Sequence, residues 1–166
     1  MAKDRYDAHW DDEPDEDAAE ALADARADAA YERAKEERRA AMASLGRRYL
    51  KACEALGVTP WRAGMETSHG RLMSVTGADD PHGPHVYGQG WGYEVERFTR
   101  KGAEPDFDDP ATLGCLVAVV REVWGGSPLS AEWSHVHDAW VVLGGTGNTE
   151  AEAWVAALEG FTDGQG

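Results

Sequence analysis

The sequence predicts an α+β fold: an antiparallel sheet covered by helices, a layered sandwich, with a long N-terminal helical extension. Three observations carry this reading. Residues 17–57 hold no proline and are rich in alanine, glutamate, arginine and leucine, all strong helix formers. Two shorter stretches, 109–126 and 149–160, are marked as helices by capping residues at their starts. Between the helical stretches lie short runs bounded by Gly-rich turns, which read as paired strands. The order helix, strands, helix, strands, helix contains no internal repeat and suits helices laid on an antiparallel sheet.

Taken in order, residues 1–16 are polar and acidic and are expected to form a disordered tail. The long helix then divides in two. From Met42 the apolar positions Met42, Leu45, Tyr49, Leu50, Cys53 and Leu56 form a stripe that can dock on a core. Residues 17–41 offer little beyond alanine, Leu22 and Tyr31, so this half is expected to project as a charged helix. Gly46 is a place for a bend or break, and Gly57 a helix stop. The α+β domain is therefore expected over 42–160, with 161–166 as a flexible C-terminus.

Within that domain, Pro60 marks a turn and Trp61 a core anchor. Residues 64–77 read as a β-hairpin around His69-Gly70, a pair that supplies the positive φ of a tight turn. Residues 78–92 read as a loop, 93–99 ("YEVERFT") as a strand, and "KGAEPDFDD" as a second loop. The helix at 109–126 has Asp109 as N-cap, Pro110 at its first position and Gly125 as its stop. Its apolar face comprises Leu113, Leu116, Val117, Val120, Val123 and Trp124. Residues 129–143 read as two strands about a turn near His137-Asp138, and "GGTGNT" as a loop. Thr149 with Glu152 three residues on forms a capping box for the last helix.

The formal charge is −15, with −8 over residues 1–30, +3 over 31–60, −1 over 61–100 and −9 over 101–166. Such a chain repels nucleic acid, whose affinity comes from neutralised phosphates, so no direct nucleic-acid contact is expected. A basic protein partner is favoured instead, including a host complex that itself binds nucleic acid. Candidate partner-binding residues are Asp11, Asp12, Glu13, Asp15 and Glu16 of the acidic tail, Arg38 and Arg39 of the basic band, and Trp91 as an aromatic anchor. The long helix also suits a homo-oligomer. No leader peptide or membrane span is recognisable, and the chain is expected to be cytoplasmic with Cys53 and Cys115 reduced and packed.

Chemistry is thinly represented. In "DDPHGPHVYGQGWG" (79–92), His82 and His85 have HxxH spacing, while His135 and His137 have HxH spacing, which on a strand sets both rings on one face. They are weak metal candidates, since HxxH in a Gly/Pro loop is not a helical ligand pair and no cysteine pair supports it. "YGQGWG" and "GGTGNTE" lack the Lys-Ser/Thr of a phosphate loop, and no βαβ unit follows them. No GxSxG is present, and the paired aspartates at 79–80 and 108–109 suit a turn and a helix N-terminus. No catalytic residue and no cofactor are expected.

At "PDFDDPATLGCLVAVVREVW" and "NTEAEAWVAALEG" the chain resembles small phage-encoded proteins of the phage ABA sandwich domain group. The resemblance covers residues 105–160, and "ALGVTPWRAGM" at 55–65 extends it. It implies a sheet covered by helices and a viral accessory setting in the cytoplasm of a host cell. It carries no catalytic residues. The acidic N-terminal helix and the His-rich loop depart from that pattern. The function expected is non-enzymatic protein–protein binding, as in an acidic, anti-CRISPR-like inhibitor of a host defence complex. The alternatives are a virion assembly or structural protein that self-associates through the long helix, and a His-metal hydrolase.

Overall fold

The computed structural model describes residues 16–67, 70–76, 85–88, 104–126 and 128–164. The elements in chain order are α1 (Glu16–Leu56), β1 (Glu66–Thr67), β2 (Gly70–Thr76), β3 (His85–Gly88), α2 (Pro110–Val123), β4 (Glu132–Ser134), β5 (Ala139–Val142), β6 (Gly145–Gly147) and α3 (Glu150–Asp163). The protein is α+β, with helices packed on antiparallel sheet. Its strands fall into two three-stranded sheets, ordered β1-β2-β3 and β4-β5-β6. The expected strand at 93–99 lies outside the described residues.

The chain divides into two compact units, one ending at Arg38 and the other running from Arg39. The described part of the first unit is helix alone, and residues 17–38 are exposed at every position.

The second unit holds the core. Leu45, Tyr49 and Cys53 from α1 meet Met65, Leu72 and Phe107, Leu116, Val119 and Val120 from α2, and Trp154, Val155 and Leu158 from α3, all buried. The stripe expected from Met42 onward is thus a core face, with Met42, Leu50 and Leu56 at its margin. Tyr49 lies edge-on to Phe107, with ring centroids 5.4 Å apart, and its hydroxyl donates to the carbonyl of Pro60. Gly57 ends α1 at φ +66°, and the amide of Val58 reaches back 3.0 Å to the Cys53 carbonyl, which caps the last turn. Gly46 does not break the helix. It is buried, and a Cβ there would stand 3.1 Å from Cδ of Pro105, so glycine makes room for the segment that crosses α1.

β1 and β2 form the expected hairpin, pairing Glu66 with Arg71 and Thr67 with Gly70. The segment after Glu104 runs beside β1: Thr67 bridges Pro105, and the Asp106 amide donates to the Glu66 carbonyl at 2.9 Å. α2 starts as expected, with Asp109 accepting from the Thr112 amide at 2.8 Å and Pro110 at the first helical position. Its inward face differs slightly from expectation. Thr112 and Val119 are buried, while Leu113, Val117 and Val123 are only partly so. Thr112 is accommodated because its hydroxyl accepts from the Glu66 amide at 2.6 Å, so the buried oxygen stays hydrogen-bonded.

Three further expectations are corrected. His85–Gly88, read as loop, is strand β3, paired antiparallel with β2 from Thr76↔His85 to Leu72↔Gly88 across a register shift. Gly145–Gly147, also read as loop, is the third strand of the second sheet. Glycine runs weaken a strand in isolation, but here they let the sheet approach α3. α3 does not stop at Gly160 but continues to Asp163, because Phe161 packs edge-on against Trp124 at 5.1 Å. The capping box is formed in full, with Glu152 Oε2 accepting from the Thr149 amide and Thr149 Oγ1 from the Glu152 amide.

Candidate binding surface

Strands β4 and β5 form a hairpin in which Glu132 pairs with Val141, Trp133 with Trp140 and Ser134 with Ala139. Side chains alternate along a strand, so Trp133, Trp140, Val142, Gly145 and Gly147 fall on one face of this sheet. That face meets α3, where Gly145 and Gly147 abut the helix backbone. Trp140 packs against the core, and Trp133 crosses it edge-on with centroids 6.0 Å apart. Trp133 sits on the outer strand of the sheet and is 41% exposed.

The turn that joins the strands is His135-Val136-His137-Asp138, closed by the His137 amide on Ser134 Oγ at 3.4 Å and by Asp138 at φ +48°. Val136 at its tip is 88% exposed. Glu132, on the opposite face of the strand from Trp133, and Asp138 at the end of the turn are both exposed. Between Glu104 and Gly164 the sequence holds eleven acidic residues and one Lys or Arg, Arg121. Of these acids Glu104, Asp109, Glu122 and Glu159 are paired with Arg47, Arg71, Arg62 and Arg48, while Glu132 and Asp138 are the acids of the hairpin itself. Arg121 itself is directed to the Leu129 carbonyl at 2.7 Å. The hairpin thus presents an aromatic edge and an apolar tip, with two exposed acids, on a chain of net charge −15.

The residues singled out from the sequence lie elsewhere or come together incompletely. Asp11, Asp12, Glu13, Asp15, His82 and Trp91 are outside the described residues. Glu16 opens α1, and Arg38 and Arg39 are exposed on it. His85 begins β3. The turn expected near His137-Asp138 is there, but it takes in His135 as well as His137, so neither histidine is on a strand. Both lie in the four-residue turn and both are exposed. The strands end earlier than expected because Asp138, with its short polar side chain, takes a left-handed conformation. Among the described residues no three of His, Cys, Asp and Glu gather as a metal-binding set. Trp133 and Val136 were missed. Trp133 is exposed because β4 is the edge strand of its sheet, which no short sequence pattern announces.

Comparison with protein families, with curated proteins and with solved structures returns no match for this chain. Among the described residues no helix is long and apolar enough to cross a membrane.

Proposed function

We propose that the protein is a non-enzymatic binding protein that engages a basic protein surface through the β4–β5 hairpin. The observation that carries this reading is the exposed Trp133, edge-on to Trp140, on the same hairpin as the exposed Val136 at the turn tip and the exposed acids Glu132 and Asp138. Half-exposed tryptophan with an apolar neighbour and a charged rim is the make-up of an interface hot spot. The acidic surroundings speed the approach of a basic partner and disfavour nucleic acid itself. In the phage setting implied by the resemblance, the partner is a nucleic-acid-binding defence complex of the host, blocked in an anti-CRISPR-like manner.

The test uses the full-length protein as bait for purified host nucleic-acid-binding complexes, at low and at high salt. Trp133→Ala and Val136→Ser should each weaken capture by about tenfold or more while leaving the far-ultraviolet circular dichroism unchanged. Salt should weaken the wild-type complex further. Capture that is indifferent to both substitutions would sink the proposal.

A further inference from the structure

We infer that α1 pairs antiparallel with α1 of a second copy of this chain, about a twofold axis at Tyr31. The inference is independent of the hairpin and rests on three features of residues 17–41. First, every one of them is exposed, including Leu22 at 52% and Tyr31 at 67%. A helix of about seven turns that is wet on all sides has little to hold it. Local contacts along it include Lys35 at 3.3 Å from Glu32 and 6.0 Å from the Tyr31 ring, and Arg33 Nε donating to the Ala29 carbonyl. Exposed pairs of this kind contribute little.

Second, the charges are segregated along the helix. Residues 17–32 carry five acids and one base, Arg26, whereas 33–41 carry four bases and two acids, Glu36 and Glu37. A parallel copy would set like charge on like. An antiparallel copy sets acid on base twice over, and also opposes the helix dipoles.

Third, one face of the helix is self-complementary about Tyr31. Asp24, Ala27, Tyr31, Ala34 and Arg38 recur at steps of three and four residues and share that face. Asp24 and Arg38 are each seven residues from Tyr31, so under a twofold axis Asp24 meets Arg38 of the second copy. Asp28, three residues before Tyr31, faces Ala34 of the second copy and so lies one position from its Lys35. Ala27 and Ala34 lie between these contacts, and their small side chains let the two backbones approach. The surface is isologous: the same patch is offered by both copies.

Sedimentation equilibrium on the full chain should show a concentration-dependent species of twice the 18.0 kDa chain mass. Asp24→Lys with Asp28→Lys should weaken it by about tenfold or more, and Lys35→Asp with Arg38→Asp should do the same. Mixing the two reversed proteins should restore the doubled mass, since each then supplies the charge the other lacks. Tyr31→Cys should cross-link to its own copy under mild oxidation. These positions are outside the core, so the variants keep their fold. A wild-type monomer at all concentrations overturns the inference, as does a dimer that the reversals leave intact or that mixing fails to restore. Trp133→Ala should leave the mass unchanged, which separates this surface from the hairpin.

Discussion

Gly145 of β6 lies so close under α3 that a Cβ placed on it would stand 2.4 Å from the backbone nitrogen of Ala157 and 2.8 Å from the carbonyl oxygen of Ala153. Gly147, two residues on, would meet Glu152 and Ala153 as closely. Strand and helix therefore touch backbone to backbone, and Ala153 and Ala157 keep the helix side of the contact small. Neither glycine carries a positive φ, so the requirement is for space. Gly145→Ala should lift α3 from the sheet and lower stability by an amount at the upper end of about 1–3 kcal/mol. Gly144→Ala tests the other reason for a glycine: its φ is +87° with open space around it, so its cost should be the smaller. Urea unfolding of the two variants compares them directly. Equal losses would show that the contact has slack.

This contact also shows where the sequence was legible. Caps and stripes were readable because they are local: Asp109 and Pro110, Thr149 and Glu152, and Met42 to Leu56 each announce themselves within one or two turns. Glycine has two opposite uses, to bend the chain or to admit a neighbour, and only the neighbour distinguishes them. "GGTGNT" thus read as loop when Gly145–Gly147 is a strand under α3, and Gly46 read as a break when it is a place for Pro105. The hairpin at 132–142 was found, but its turn was set too late. Its exposed Trp133 follows from the edge position of β4, a property of topology that no short pattern contains.

Asp109 ties the start of α2 to β2. It accepts from the Thr112 amide and hydroxyl at 2.8 and 3.0 Å and from Arg71 of β2 at 2.9 Å. Burial by itself would raise its pKa, but the hydrogen bonds from Thr112 and the Arg71 charge outweigh it and hold the carboxyl below its ordinary 3.8. Because the folded value is the lower one, its contribution is present above the unfolded pKa and is lost as pH falls through the folded one. Asp109→Ala should cost about 0.5–2 kcal/mol near neutral pH. The gap between variant and wild type should narrow as pH falls below about 4, where the carboxyl is protonated first in the unfolded chain and only at lower pH in the folded one. Urea titrations at both pH values would show it, and a gap that does not change with pH would assign the loss to packing.

Leu143 turns the corner between β5 and β6 at φ +49°, followed by Gly144 at +87°. Two positive φ values in a two-residue turn match the hairpin type that prefers Asn-Gly. A branched aliphatic side chain is strained there, and Leu143 is 44% exposed, so little packing offsets the strain. Leu143→Asn should therefore stabilise the protein by about 1 kcal/mol, read as a rise in melting temperature. A fall would mean that the leucine is held by contacts that outweigh its backbone.

The two cysteines should differ sharply in reactivity. Cys53 is fully buried beside Tyr49, and burial raises its thiol pKa to about 11, against smaller lowering effects of Tyr49 and Arg62. At pH 8 almost none of it is thiolate, and no reagent reaches it in the folded state. Cys115 is half-buried, with Sγ 3.8 Å from the Ala63 carbonyl, and burial raises its pKa as well. A thiol-specific chromogenic reagent at pH 8 should thus label Cys115 slowly and Cys53 only at the rate of unfolding. Denaturant should release both at once. Cys115→Ser should leave a folded protein without a reactive thiol. If Cys53 instead reacts as fast as Cys115 in native buffer, the face of α1 that carries Tyr49 and Cys53 opens locally, and the core described above is not closed over it.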